Sequence, residues 1–511
     1  MTLDVQSQTE ERPSRAEESL PLRGLSIAIV LLAVGARLWM ACATHATGED
    51  ALIILRYAEN IAHGLGFVYN PGQRVLGSTT PLYTLLLALA ALLHLDAEAV
   101  GKGLNILAEG ATCLLIVRLM AHPKIGAPVA GLFAALLYAL SATPISISIS
   151  GMETALVTCA GLAAILAYTE GRTRPLFLLA ALLFLLRIDT LVLSGLLIGA
   201  HLLHLRRVPW RDLALALLLT LPWLAFATLY FGSPIPTSLV AKLTVYRGAH
   251  GASRAAILGA FAAQFTSGAF QHAVTALFTL GMVSLIRDYR EAHPLRVPLL
   301  WLILYYGTML TSHVPAFAWY FLPPWPLFLC VAALGGQTAI AAIGKILTNI
   351  DPSGSASTGF HALARLRFAA LVLFGLFGLL HLHTVRAEIA SAQILEDTVR
   401  KPIGLWLRAH AGPQERILLE PIGTIGYYSR RSILDLIGLV SPEVFPSYRT
   451  PAPLTDIVRR FRPEWLCLRP GEAATLQRQS PALLATDYRL TEVFANANRS
   501  VAFRLYHRVS R

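Results

Sequence analysis

Residues 25–60 read LSIAIVLLAVGARLWMACATHATGEDALIILRYAEN. Leu25 to Ala43 is an apolar run of the length that crosses a hydrocarbon core, and two adjacent carboxylates, Glu49 and Asp50, follow it almost at once. Charge at the edge of a membrane span is costly and needs a reason. In a cleft at the membrane boundary, desolvation raises a carboxyl pKa and suits the group to act as general base on a hydroxyl. The plainer alternative is that the pair caps and charges the N-terminus of a helix beginning at Ala51.

The rest of the chain repeats the apolar theme. Of 511 residues, 55% are hydrophobic and only 14% charged, against about 25% charged in a soluble domain. Mean hydropathy is +0.58. Apolar segments run at 25–43, 80–95, 101–120, 127–143, 153–169, 175–187, 190–205, 212–230, 271–286, 297–312, 323–341 and 366–384. They predict an all-α polytopic membrane domain of about 11–13 transmembrane helices, some of them short interior or re-entrant pieces. The first 24 residues carry mixed charge and no cleavable apolar core, so they read as a cytoplasmic tail.

The net charge of +12 is explained by topology. Basic residues cluster between apolar runs, as Arg206, Arg207 and Arg211, then Arg287, Arg290 and Arg296, the arrangement of cytoplasmic loops. No basic stripe with interleaved aromatics points to nucleic acid. With those loops inside, the loop 44–79, the segment 231–270 and everything after 384 lie outside. Twelve full crossings would instead return the C-terminus to the cytoplasm, so 80–120 holds either one crossing plus a partial helix or a hidden extra crossing. Asp351 to Thr358 reads as a flexible polar linker. Residues 385–511 are richer in charge, with strand-like stretches such as Arg416 to Leu419 and turn formers around Pro421, Gly423 and Gly426, which predicts a small α/β domain. The five cysteines show neither a disulfide framework nor metal spacing.

Further candidates surround the acidic pair. The first outer loop continues through Tyr57 and Asn60 to GLGFVYNPGQRVLGSTTPLY at 64–83, which includes Asn70 and is dense in turn formers and aromatics. Arg56 is suited to meet a phosphate or to pair with Glu49 or Glu59. Arg187 and Asp189 interrupt an apolar run, either as functional charges or as an outward break between two short helices. Glu153 opens another apolar helix from the outer side. Lys242 could hold a lipid phosphate or simply snorkel to the interface. Tyr320 lies in the aromatic loop 317–325, which suits a membrane belt or a sugar-stacking platform.

Taken together, the ordered motifs resemble a family. Residues 48–83, Gly151 to Leu156, Arg187-Ile188-Asp189, Phe231 to Pro234, Tyr320 to Pro323, Gly423 to Tyr428 and Leu434 to Leu439 are similar to segments of the bacterial GT-C membrane glycosyltransferases, especially the group of the mycobacterial terminal β-(1→2)-arabinofuranosyltransferase. The resemblance implies a polyprenyl-phosphate sugar donor, an outer-face active site, an extracytoplasmic C-terminal domain and catalysis by the acidic pair of the first loop. Glu49 stands where that family has Asp, which leaves the choice of base between Glu49 and Asp50 open. Substrate-binding roles then fall to Arg56, Tyr57, Asn60, Asn70, Glu153, Arg187, Asp189, Lys242 and Tyr320.

These observations together lead us to expect a tail at 1–24, a GT-C membrane domain at 25–384 and an α/β domain at 385–511, in a bacterial plasma membrane. The expected activity is inverting transfer of one sugar from a polyprenyl phosphate to a hydroxyl of an envelope glycan, lipid or protein. A divalent metal at the acidic pair is possible, though no third ligand can be named. A lipid or glycan transporter is the alternative, but the sequence lacks the matched broken helices of inverted repeats. A non-catalytic assembly protein of the same fold is a second alternative.

Overall fold

The computed structural model describes residues 15–246, 251–287, 293–350 and 356–509. Arg290, most of the N-terminal tail and the linker at 351–355 lie outside the described residues, and the last residues of the expected linker already belong to a helix. The chain begins with α1 (Arg15–Thr44), α2 (Glu49–Ala62), α3 (Pro81–Leu92), α4 (Ala97–Ala121), α5 (Pro128–Leu140), α6 (Ala142–Ile149), α7 (Thr154–Thr169) and α8 (Thr173–Leu186). It continues with α9 (Leu191–Leu205), α10 (Trp210–Phe231), α11 (Thr237–Thr244), α12 (Arg254–Thr266), α13 (Ala269–Arg287), α14 (Arg296–Thr311), α15 (Trp325–Ile350) and α16 (Ala356–Leu395).

Seven helices among the described residues are long and apolar enough to cross a membrane, or eight if the bent pair α5–α6, with its 53° angle, is one span. Other apolar runs, α3, α7 and α8, are shorter helices; α7 is buried along most of its length by its neighbours. The protein is a multi-pass membrane protein. On α10, Leu217, Leu218, Leu219, Leu221, Phe226 and Leu229 are exposed, an apolar band that only lipid can cover.

Side-chain contacts fix the course of the first helices. Tyr83 at the start of α3 donates to the carbonyl of Gly151 at 2.7 Å. Glu98, at the start of α4, accepts from Thr47 just after α1 at 2.5 Å. Gly48 in turn donates to Ser150 at 2.7 Å. Both ends of α3 therefore lie on one side of the bundle, so residues 80–120 contribute one long helix and one partial one.

Inside the bundle, two devices bring helices together. The first is a charge network in which Arg37 of α1 donates to Glu109 Oε2 of α4 from Nε at 3.0 Å and Nη2 at 2.5 Å, and from Nη1 to the Ala33 and Ala139 carbonyls. Tyr138 of α5 donates to the other Glu109 oxygen at 2.8 Å. All three side chains are fully buried, and mutual pairing is the condition on which hydrocarbon admits them. The second device is the crossing of α13 and α15, where a Cβ on Gly281 or Gly335 would overlap the backbone of the opposite helix. Small residues on both helices let the backbones touch, as membrane interfaces require.

After α16 the chain passes through a π-turn at 396–400 into α17 (Lys401–His410). The shift in composition near 385 thus falls inside a helix, which runs unbroken past residue 384 because its backbone bonds persist after its apolar surface ends. The C-terminal domain comprises β1 (Arg416–Leu419), α18 (Gly423–Ser429), β2 (Ser432–Asp435), α19 (Pro453–Phe461), β3 (Trp465–Leu468), α20 (Pro470–Gln479), β4 (Tyr488–Ala495) and β5 (Ala502–Arg508). Its sheet has order β2-β1-β3-β5-β4, with β1 parallel to β2 and β3, and β5 antiparallel to β3 and β4. One face shares a core with the first loop, where Tyr57, Phe67, Tyr69 and Leu76 pack with Ile417, Leu419, Ile433 and Phe503.

Removing one partner of the buried pair strands the other. Glu109→Ala is expected to destabilise the protein by about 3–5 kcal/mol, while the double variant Arg37→Met/Glu109→Met recovers much of the loss. Thermal unfolding in detergent measures both.

Candidate active site

The first loop is held by the residues that the sequence singled out as ligand binders. Arg56, buried on α2, donates to the carbonyls of Tyr69 at 2.9 Å, Gly426 at 2.6 Å and Arg431 at 2.6 Å. Its guanidinium also lies over the Tyr69 ring. Among the described residues it pairs with neither Glu49 nor Glu59, and three of its N–H groups go to backbone carbonyls of the first loop, α18 and the turn after it. Tyr57 donates to Val75 at 2.8 Å and accepts from Gly77 at 2.9 Å. Asn60 donates to Val68 and Tyr69. Asn70 donates to the Ile433 carbonyl at 2.8 Å and accepts from the Ile433 N–H at 3.0 Å, extending the edge strand β2. These three side chains likewise brace the loop and dock it to the C-terminal domain, because buried backbone groups outside regular structure demand partners.

That frame presents the acidic pair. Gly48 is the N-cap of α2 and no side chain caps the helix, so Glu49 and Asp50 occupy its first turn without capping it. The carboxyl of Glu49 accepts from the N–H of Gly423, at the start of α18. The two carboxyls lie within hydrogen-bonding reach of each other. Burial is the main influence on both, and it holds both above the ordinary carboxylate range. Glu49 is lifted further by the neighbouring Asp50 charge, against the pull of Arg400 and of the Gly423 N–H. Asp50 is drawn back by its hydrogen bond with Glu49 and by the positive charge of Lys242. Both carboxyls are thus pushed toward the protonated form, Glu49 the more strongly, and the charge of Lys242 offsets part of the effect at Asp50.

Facing the pair, Lys242 of α11 donates to the Tyr320 hydroxyl at 2.7 Å and lies over its ring. Among the described residues it makes no ion pair. Arg187 behaves differently, gripping Asp189 through Nε at 3.0 Å and Nη2 at 2.5 Å, with Glu153 at 3.7 Å. Burial pushes the Glu153 carboxyl up, and the Asp50 charge adds to the push, so this cluster adjoins the acidic pair. Among the described residues, Glu153 Oε2 and the Tyr305 hydroxyl are buried without a hydrogen-bond partner. A small, mainly apolar crevice lies beside Asp189, lined by residues including Leu162, Leu193, Trp301, Tyr305 and Leu327. The structure thus gathers Glu49, Asp50, Lys242, Tyr320, Glu153, Arg187 and Asp189 in one region and assigns Arg56, Tyr57, Asn60 and Asn70 to its supports.

Sequence reasoning missed Gly423, Arg400 and Tyr246. Tyr246 stands among Asp50, Glu420, Asp435 and Tyr320. A signal existed for the first of these, since Gly423 and Gly426, three apart on α18, form a flat stripe suited to close approach. Among the described residues, no group of three or more His, Cys, Asp or Glu side chains is placed to hold a metal ion.

The comparisons with known proteins bear on the fold. Over 96% of its length the chain superposes on ArnT from Cupriavidus metallidurans, covering 98% of that protein at 12% identity, with TM-scores of 0.57 for the form bound to undecaprenyl phosphate and 0.58 for the apo form. The chain has the GT-C fold. The mycobacterial arabinofuranosyltransferase AftD aligns with 94% of this chain at 16% identity and a TM-score of 0.44, and the chain covers 41% of that larger protein. Residues 387–506 match the model of a domain of unknown function, DUF8728. No curated protein matches by sequence.

On this GT-C scaffold the docking of the first loop is open to direct measurement. Asn70→Ala deletes both bonds to the Ile433 backbone and is expected to cost about 1–3 kcal/mol. Hydrogen exchange should show it as faster amide exchange in β1 and β2, with the membrane helices unchanged.

Proposed function

We propose that this protein is a membrane glycosyltransferase that moves a single sugar from a polyprenyl-phosphate donor to a hydroxyl of a cell-envelope glycan, lipid or protein. The observation that carries the reading is the recessed pair Glu49-Asp50 facing the ion-pair-free Lys242, set in the fold of a protein whose structure holds undecaprenyl phosphate. The active site and the C-terminal domain then face the extracytoplasmic side of a bacterial plasma membrane, in keeping with the basic loops assigned to the cytoplasm.

In this mechanism Asp50 accepts the proton of the acceptor hydroxyl. The oxygen attacks the anomeric carbon from the face opposite the phosphate, and the bond from that carbon to the phosphate oxygen breaks with its electron pair. Configuration is inverted. Lys242, oriented by Tyr320, meets the negative charge that develops on the leaving phosphate, a contribution strongest in a site shielded from water. Arg187 is already neutralised by two carboxylates, so it positions Glu153 and Asp189 for polar contacts with the sugar or phosphate.

Purified protein in lipid, supplied with labelled polyprenyl-phosphate sugars and envelope acceptor, tests the reading. Asp50→Asn is expected to lower transfer by about 100-fold or more, and Lys242→Met to lower kcat more than it raises KM. Donor translocation without transfer in the wild type would overturn the reading. Because the base must be ionised and burial raises its pKa, the rate should fall on the acid side beginning at a higher pH than a free aspartate would impose. A pH–rate profile checks this.

A further inference from the structure

The carboxyl pair is gripped from two sides. On the membrane side, the Gly48 N–H donates to Ser150 at 2.7 Å, and Ala51 rests against Gly151. From the C-terminal domain, the Gly423 N–H donates to Glu49. A Cβ on Gly423 would run into both the Glu49 carbonyl and its carboxyl. Gly423 has no left-handed φ, so glycine is needed there for approach and not for backbone conformation. Three residues on, Gly426 leaves the same opening for the Tyr69 hydroxyl.

We infer that Gly423 is a positioning residue for Asp50: by anchoring one oxygen of the Glu49 carboxyl, it holds the other against Asp50 and so sets the state of the proton acceptor from within the C-terminal domain. The inference rests on the proposed function in that it takes Asp50 as the acceptor. Glutamate has one more rotatable bond than aspartate, and a loose Glu49 would spread over rotamers that miss Asp50. The anchor removes that freedom. Loss of the Glu49 hydrogen bond leaves Asp50 buried with less support for its charge, which raises its proton affinity. The charged and titratable groups around the pair, beside Tyr69 of the first loop, are these four: Lys242 from α11, Arg400 from the turn after α16, Glu153 before α7 and Tyr246 after α11. The substitutions below leave all four in place.

The test compares full-length wild type, Gly423→Ala, Glu49→Gln and Glu49→Asp in lipid. Two readouts are followed against pH: the transfer rate, and the infrared carbonyl band of the protonated carboxyls, assigned with Asp50→Asn. Gly423→Ala and Glu49→Asp, which break the span from Gly423 to Asp50, are expected to move the acid limb and the infrared midpoint up by about one pH unit, the equivalent of one hydrogen bond. Glu49→Gln can accept from Gly423 and donate to Asp50 at once, so its acid limb should stay near that of wild type or below it despite a lower rate. If midpoints are unmoved in Gly423→Ala and Glu49→Asp while Asp50→Asn abolishes transfer, the inference fails and the proposed function stands. Transfer that survives in Asp50→Asn overturns Asp50 as the proton acceptor and leaves the glycosyltransferase reading standing, and the infrared midpoints still decide whether Gly423 governs the pair.

Discussion

One guanidinium ties the molecule together. Arg56 joins its own loop to carbonyls 370 and 375 residues further along the chain, and around it Asn70 meets β2 and Tyr69 donates to Ile422. Arginine suits this role because its planar fork can satisfy several carbonyls at once, which a lysine cannot reproduce. Without it the first loop would lose its bonds to both carbonyls, and Gly426 would keep only the donors of its own helix end, Arg430 N–H and Ser429 Oγ. The position of α18, and with it Gly423 at the acidic pair, follows from this clamp.

The electrostatics of the site depend on the same docking. Two adjacent carboxyls in water would both ionise. Enclosed between the first loop and the C-terminal domain, both are pushed toward the protonated form, and the charge of Lys242 works against that push at Asp50. The neighbouring cluster is organised differently, with one arginine between two carboxylates. One cation is left to meet an incoming charge while the other is absorbed by the protein.

Much of this was legible in the sequence. Apolar runs announce a membrane bundle, and the carboxylates after Ala43 announce a site, because each signal is local and has a cost that only one environment removes. The bracing contacts of Arg56, Tyr57, Asn60 and Asn70 were not legible for the opposite reason. Their partners are backbone groups, which carry no residue signature, and for Arg56 and Asn70 those partners are hundreds of positions away. The parity of the crossings was ambiguous because α3 is as apolar as a span, and only its end contacts reveal that it stays on one side. The domain boundary was blurred because helical hydrogen bonding ignores the point at which α16 stops being apolar.

The sequence separation bridged by Arg56 also has a consequence for biogenesis. The ribosome makes the first loop well before the carbonyls that satisfy Arg56, which emerge 370 and 375 residues later. Until α16 is inserted and the terminal domain has reached the same side, α2 has no α18 beside it and Glu49 has no anchor. The nascent chain therefore passes through insertion with an unassembled acidic pair. Completion of the last domain is what makes the loop whole, so a chain truncated before residue 423 would keep its membrane helices and still lack a finished site.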